Sequence, residues 1–354
     1  METVLNIEGA QRLFKINEPS DVAVARRAGV DLAASIGFSE VLSGQLAIVI
    51  TEAATNIVKH AQQGEVLLRI IQRQQDSAGG ELSVLGIEVL AVDAGPGIAD
   101  LDFQMQDGHS TVGTYGVGLG SIQRLSHYMS VYSQSGSGTV LLAILWSREG
   151  SVDNTEWEVG LVCLPLPSEQ ECGDAAYVDD SNGTLIAMVA DGLGHGPEAA
   201  LASGAAVEAL RSSSAAGGLA KVTPQMMLQQ IHLAMQRTRG AAIAIAQISR
   251  ATSQLTFAGV GNIAGCVITE QRRNHLISHN GIVGSNIRKI HEFALEWPYQ
   301  ALLILHSDGL STKWDMNAYQ GLVNAHPALI AAVLYRDFYR GRDDVTVLVV
   351  RQHT

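Results

Sequence analysis

Four aspartates in the second half of the chain stand where apolar runs start or stop. Asp191 follows LIAMVA and precedes Gly192, Asp308 follows ALLILHS and precedes Gly309, Asp174 follows Gly173, and Asp343 is doubled by Asp344 ahead of VTVLVV. A carboxylate at a strand end, beside a glycine that lets the backbone turn, can meet others far away in sequence if a sheet gathers its strand ends. Acidic oxygens with no histidine or thiol among them suit a hard ion such as Mg²⁺ or Mn²⁺. Two such ions activate a water and neutralise a phosphoryl group for in-line displacement. Any single Asp-Gly is equally a turn, so the weight rests on four such contexts together. His195, between Gly194 and Gly196, could give a proton to a leaving oxygen or could merely stand at the start of the next helix.

The first half carries a different set. Glu52 and Asn56 are four residues apart in an apolar-striped stretch (Leu42, Leu46, Val49, Ala53, Ile57), so on a helix both project to one side. An amide oxygen suits Mg²⁺ that keeps phosphate and water ligands, and a carboxylate one turn earlier can orient or deprotonate a hydroxyl. A solvated helix face would show the same pair. Asp93-Ala94-Gly95-Pro96-Gly97-Ile98 is a carboxylate at a strand end followed by a rigid turn. Asp93 there could accept a hydrogen bond from an exocyclic amine such as that of adenine. The run Gly113 to Gly120, ahead of a helical pattern at 122–128, offers bare N–H groups to phosphate.

The elements that must hold these residues fall into two groups. Strands are expected at 5–16, 66–73, 84–92, 129–133 and 138–146, with helices at 21–34 and 39–61. The polar stretch 147–156 (SREGSVDNTE) has no periodicity and reads as a linker. Beyond it nine strand-like segments (157–164, 173–178, 184–190, 241–249, 253–260, 263–269, 274–279, 300–306, 344–351) surround helices at 197–213, 224–238 and 326–338. Ser212 to Gly218 reads as a flexible loop. Many strands around few helices give an α+β class. The expected division is 1–147, a linker at 148–156, and 157–354.

ExxxN, then DxGPGI, then GxGxG resembles the GHKL superfamily of ATPases and kinases. The string DAGPGIADLDFQMQDGHSTVGTYGVGLG (Asp93 to Gly120) is similar to the RsbT-type anti-sigma-factor and switch kinases, over about residues 5–146. The resemblance implies a Bergerat α/β sandwich with Asn56 on Mg²⁺, Glu52 as catalytic carboxylate and Asp93 on adenine. It also implies Gly95 and Gly97 against the base, and Gly116, Gly118 and Gly120 cradling the phosphates of ATP. Such kinases phosphorylate a serine on a small STAS-domain partner, and they often self-associate, which allows a homodimer. The chain departs from the pattern at Tyr115, a bulky side chain where the lid is usually small. His60 and His127 do not match a phosphoacceptor motif and read as surface or packing residues.

ADGLGHGPEAA, HSDGL and GRDDVTVLVV resemble the SpoIIE/RsbX-like branch of the metal-dependent 2C-type phosphatases, over about residues 157–351. That family is a β-sandwich flanked by helices. By position, Asp191 would bridge two Mn²⁺ or Mg²⁺ ions, Gly192 would add a backbone carbonyl, Asp308 and Asp343 would complete the second ion, and Asp174 would act on the first through water. Asp344 reads as a hydrogen-bonding or capping residue.

The chain of 354 residues is long enough for two cores at 47% hydrophobic content. Its formal charge of −12, from 35 acidic and 23 basic side chains, argues against a nucleic-acid or anionic-membrane partner. Three cysteines without a CxxC pair suggest neither a disulfide framework nor a zinc site. No apolar run of eighteen residues and no leader-like start is visible, so a cytoplasmic protein is expected. The resemblances together imply a stress-response partner switch. One half would phosphorylate a STAS-domain antagonist or stressosome-type scaffold, or act on a sigma-pathway regulator, and the other would dephosphorylate phosphoserine or phosphothreonine protein. The alternatives are a first half that only captures a partner, one that only senses ATP, and a second half that acts on small phosphate esters.

Overall fold

The computed structural model describes residues 10–77, 80–99, 118–148, 156–181, 183–215, 219–269, 272–287 and 289–352. The N-terminal elements are β1 (Arg12–Ile16), α1 (Pro19–Ser35), α2 (Glu40–Asn56), β2 (Gly64–Ser77), β3 (Gly80–Asp93), α3 (Gly118–Leu125), β4 (Tyr128–Ser133) and β5 (Thr139–Trp146). Their strands form one antiparallel sheet in the order β1-β2-β3-β5-β4. Local chemistry sets the helix starts. Glu18 and Asp21 form a reciprocal capping box ahead of α1, with Pro19 in its first turn, and the Ser39 side chain accepts from Leu42 N–H at the start of α2.

After the 147–156 stretch come β6 (Trp157–Leu164), β7 (Asp174–Ser181), β8 (Thr184–Gly192), α4 (Pro197–Ala215), α5 (Pro224–Ala234), β9 (Ala241–Ser249), β10 (Gln254–Val260), β11 (Ala264–Ile268), β12 (Arg273–Leu276), β13 (Glu292–Glu296), β14 (Leu302–His306), α6 (Pro327–Phe338) and β15 (Val345–Gln352). They make two further five-stranded sheets, β13-β10-β9-β8-β7 and β12-β11-β14-β15-β6. The α+β reading holds, with all paired strands antiparallel.

Side-chain alternation stacks these parts in layers. In the first sheet, Val66, Leu68, Val89, Ala91, Leu141 and Ala143 face a core shared with α1, α2 and α3. The intervening Leu67, Leu90, Val92, Val140, Leu142 and Ile144 face a second core. That second core contains α6 and the Val162, Ile304, Val345 and Val347 face of the β6–β15 sheet. A third core lies between the two C-terminal sheets and a fourth beneath α4 and α5. The period of two in a strand is what lets one sheet serve two cores. It also explains why β5, TVLLAILW, is apolar on both sides.

Several expectations need correction. The helix expected over 39–61 ends as an α-helix at Asn56 and continues as a π-turn, Ile57–Ala61. The wider turn brings Ala61 against Gly95, where an added Cβ would lie 2.7 Å from the alanine methyl. Ser212 to Ala215 extend α4 rather than forming a loop, because Ser212, Ser213 and Ser214 hydroxyls bond Glu208, the Ala209 carbonyl and Asp179. The hairpin β2–β3 pairs as far as Ser77 with Gly80, through a polar stretch without apolar alternation. The charged edge strand β13 was not expected at all. Taken with its π-turn, Glu40–Ala61 is long and apolar enough to cross a membrane by length and composition, although Gln45, Glu52 and Lys59 interrupt it, so it is not the uninterrupted apolar run the sequence lacks. Here its Leu46, Val49, Ile50, Ala53 and Ala54 are buried against the first sheet.

Candidate functional site

The strand ends of the C-terminal sandwich do converge. Asp174 opens β7 and Asp191 lies near the end of β8, and the two face each other as register partners. Asp308 follows β14 by two residues and Asp343 precedes β15 by two, and these strands are paired in the opposing sheet. Each sheet therefore presents two aspartates at the same end. Burial, followed by the charges of Asp174, Asp308, Asp343 and Asp344, pushes the Asp191 carboxyl up to about 9. Burial also raises Asp308, with Asp343 adding to the shift and Arg340 and Asn262 opposing it.

Two further residues set these carboxylates in place. Asp344 accepts from Leu166 N–H at 2.7 Å with one oxygen and from Gly173 N–H at 3.0 Å with the other. It thereby ties the segment before Asp174 to the start of β15, the hydrogen-bonding task expected of it. Gly173 and Gly309 are required by close approach, since a Cβ on either would meet Asp344. Gly192 is needed for a different contact, because a Cβ there would strike the Ala199 backbone in the first turn of α4. Asn262, which the sequence reading did not single out, donates from Nδ2 to Asp308 Oδ2 at 2.6 Å. His195 stands at the exposed rim with Nδ1 2.7 Å from Glu169 Oε1.

The acidic set suits hard cations. Asp174 is buried at 5% exposure, and its Oδ2 has no hydrogen-bond partner. Burial holds its carboxyl well above the ordinary range despite the nearby Ser307 and Thr346 hydroxyls. Among the described residues no three acidic, histidine or cysteine side chains close around one point. The fit to a hard cation rests on the all-carboxylate donor set and on the unpartnered Asp174 oxygen.

In the N-terminal half, Glu52 and Asn56 share one side of α2, and both reach the start of α3. A Cβ on Gly118 would lie 3.2 Å from Glu52 Oε2 and 3.4 Å from Asn56 Oδ1. Gly118 and Gly120 lie within the first turn of α3 rather than in a loop before it, and α3 ends at Leu125, short of the expected 128. Gly116, Tyr115 and the MQDGHST string lie outside the described residues. Asp93 ends β3, and its Oδ1 accepts from Gly95 N–H at 2.8 Å and Thr139 N–H at 3.2 Å. Burial raises this carboxyl, with those two N–H groups and the charges of Arg336 and His60 pulling it back. Gly97 has φ +69°, and a Cβ there would collide with the Gln134 carbonyl. His127 accepts from Trp146 N–H through Nδ1, a packing role, and His60 is exposed.

Comparison with known proteins agrees with this division of chemistry. The histidine kinase-like ATPase domain family matches residues 16–145, and the family of stage II sporulation protein E matches residues 181–353. Serine/threonine-protein kinase RsbT of Bacillus subtilis (strain 168) is 33% identical over 138 residues, 39% of this chain and 98% of that kinase. The chain belongs to the RsbT family through its N-terminal domain, fused to a SpoIIE-type domain. Phosphoserine phosphatase RsbX of the same organism is 26% identical over 141 residues, 40% of this RsbT–SpoIIE fusion and 68% of the phosphatase. A solved structure from work on the bacterial stressosome, as a modular system adapted to control secondary messenger signaling, is 28% identical. It covers 55% of the fusion and 99% of its own chain at a TM-score of 0.50.

Proposed function

We propose that this fusion is a cytoplasmic partner-switching regulator whose halves, 1–147 and 157–354 joined by 148–156, carry opposing activities. The C-terminal half would remove phosphate from a serine or threonine of a protein. The observation that carries this reading is the pairing of Asp174 with Asp191 at the sandwich end where Asp308 and Asp343 also press their charge. Asp174, Asp191, Asp308 and Asp343, with the Gly192 carbonyl, would hold two Mn²⁺ or Mg²⁺ ions. When bound, such ions supply an activated water and neutralise phosphoryl charge. Asn262 orients Asp308, and Asp344 fixes the segment that presents Asp174. His195, with Nδ1 on Glu169, would give a proton from Nε2 to the leaving serine oxygen.

The N-terminal half would bind ATP and transfer its γ-phosphoryl group to a serine or threonine of a STAS-domain protein, either an antagonist or a stressosome-type scaffold. RsbT is named as a serine/threonine kinase, and Glu52, Asn56 and Gly118 meet at the N-terminus of α3. Asn56 would hold the Mg²⁺ of the nucleotide, Glu52 would take the acceptor hydroxyl proton, and Asp93 would accept from the adenine amine. Gly95 and Gly97 would line the base, and Gly116, Gly118 and Gly120 the phosphates. The backbone N–H bonds on Asp93 Oδ1 fix its carboxylate for that contact.

The test of the phosphatase half is Mn²⁺-dependent phosphate release from a phosphoserine peptide by the full chain. Asp191→Asn and Asp308→Asn should each lower the rate by about two orders of magnitude or more, the scale of losing a group that stabilises the transition state. Undiminished release from both variants would remove the site assignment. Turnover of small phosphate esters alone, with none of peptide, would make the substrate a metabolite.

A further inference from the structure

Helix α6 belongs in sequence to the C-terminal half, yet both halves bury it. Every residue from Pro327 to Tyr335 is buried, and a helix that is apolar all round must be enclosed on all sides. One side packs on Val162, Val345 and Val347, and the opposite side on Leu67, Val92, Val140 and Leu142 of the first sheet. A helix clamped between two close-packed faces cannot tilt at one without displacing the other.

The last turn of α6 is also bonded to both candidate sites. Arg336 NH1 donates to the Asp93 main-chain carbonyl at 3.2 Å, and Tyr335 OH donates to Glu65 Oε2 at 2.8 Å, one residue along from Gly64, the register partner of Asp93. Its guanidinium is held in place by two bonds to Asp337, of 2.7 and 2.9 Å. Directly after the helix, Arg340 N–H donates to the Gly309 carbonyl at 2.9 Å, adjacent to Asp308, and Tyr339 OH donates to the Asp343 carbonyl at 3.1 Å. The same short segment thus grips the Asp93–Gly97 turn at one end and the Asp308 and Asp343 loops at the other.

We infer that α6 is a coupling element through which a nucleotide seated at the Asp93 turn sets the rate of the phosphatase centre, with Arg336 as the positioning residue that joins the two. The inference rests on the two site readings above. A ligand that draws the Asp93 turn toward itself moves the carbonyl that Arg336 holds, and the rigid last turn passes that displacement to residues 339–343. Linkage makes only the binding part of this coupling mutual, so an ion or substrate whose affinity at the Asp308–Asp343 end changes with nucleotide changes nucleotide affinity by the same factor.

The experiment follows Mn²⁺-dependent hydrolysis of p-nitrophenyl phosphate by the full chain, with and without saturating ADP or a non-hydrolysable ATP analogue. Nucleotide binding is measured separately with a fluorescent ADP. In the wild type, bound nucleotide should change the rate by about fivefold or more, the lower end of ordinary allosteric coupling. Arg336→Met should still bind nucleotide and keep its nucleotide-free rate within about twofold, while losing the response, with Arg336→Lys restoring part of it. Hydrogen exchange over residues 336–344 should change on nucleotide binding in the wild type and not in Arg336→Met. Nucleotide that binds and changes neither the rate nor the exchange would overturn the coupling while leaving the pocket reading intact. A wild type that binds no nucleotide would overturn the pocket reading and the coupling with it. A response that survives unchanged in Arg336→Met would show that the path runs elsewhere.

Discussion

At the scale of single residues, the dominant fact is charge crowded at one end of a sandwich. Asp191 ionises near 3.8 in the unfolded chain and only at about 9 in the folded one. In the metal-free protein the unfolded state therefore loses this proton first, and stability falls as pH rises from about 4 toward 9. A divalent cation that displaces the proton binds more tightly over the same range, up to about tenfold per pH unit for each proton released. The melting temperature gained on adding Mn²⁺ should accordingly be larger at pH 8 than at pH 6, measured against EDTA, and an equal or smaller gain at pH 8 would contradict this. Asn262→Ala should leave the fold intact but raise the Mn²⁺ needed for half-maximal phosphatase rate by about 10- to 100-fold, the usual cost of removing a ligand's orienting partner. The aspartates were legible in sequence because each sits beside a glycine or second carboxylate at one end of an apolar run. Asn262 was not, because its partner Asp308 is 46 residues away and no local pattern marks such a pair.

At the scale of elements, α6 shows what periodicity conveys and what it leaves out. The run PALIAAVL reads plainly as a buried helix, but nothing in it tells which two sheets enclose it. Its start depends on His326, whose Nδ1 accepts from Ala328 N–H at 3.1 Å and whose ring lies 5.3 Å from that of Tyr128. Burial drives His326 down to about 3 and His306 down to about 4. The Ser307 carbonyl facing His306 Nδ1 pulls that value back up but does not outweigh burial, and Nε2 of the neutral ring accepts from Trp314 Nε1–H. Both rings are uncharged in the fold and take up a proton when unfolded below about 6.5, so stability is lost as pH falls from 6.5 toward 4. Because the raised Asp191 carboxyl pulls the total the other way over the same window, the loss is read as a difference: denaturant titrations across pH 7 to 4 should show the stability of wild type relative to His326→Asn falling as pH falls. At pH 7, His326→Ala should cost about 1 kcal/mol through the lost cap, and Asn, which keeps an acceptor, should cost less. The π-turn after α2 was illegible for a related reason, since the contact it makes, Ala61 against Gly95, is with the turn after β3 and far along the chain.

At the scale of the molecule, the halves share a core rather than merely a linker. Between them lies a buried polar knot as well as α6. Arg69 and Glu88 pair at 2.7 Å on the inner face of the first sheet, and Gln11 bonds Glu88, the Leu161 carbonyl and both backbone groups of Cys163. Sequence texture marks a break near 147–156, and the two family matches fall on either side of it. That texture cannot show that the β5 run is apolar on both faces because a second sheet's helix covers one of them. Residues 157–354 expressed alone would expose the α6 face that Leu67, Val92, Val140 and Leu142 cover, and each large apolar side chain of that face is worth about 1.5–3 kcal/mol when buried. That fragment should melt at least several degrees lower than the full chain or associate through the exposed face. A fragment as stable and monomeric as the whole would contradict a shared core.

The central claim, that opposing activities occupy one chain, is tested most directly by labelling. Full-length protein carrying Asp191→Asn, so that product is not erased, is incubated with γ-labelled ATP, Mg²⁺ and STAS-domain proteins of the same organism. The expected result is label on one of them, lost with Asn56→Ala and removed when wild-type protein and Mn²⁺ are added. Measured ATP binding with no label on any STAS-domain protein would contradict the kinase half and leave the phosphatase as the chain's one enzyme.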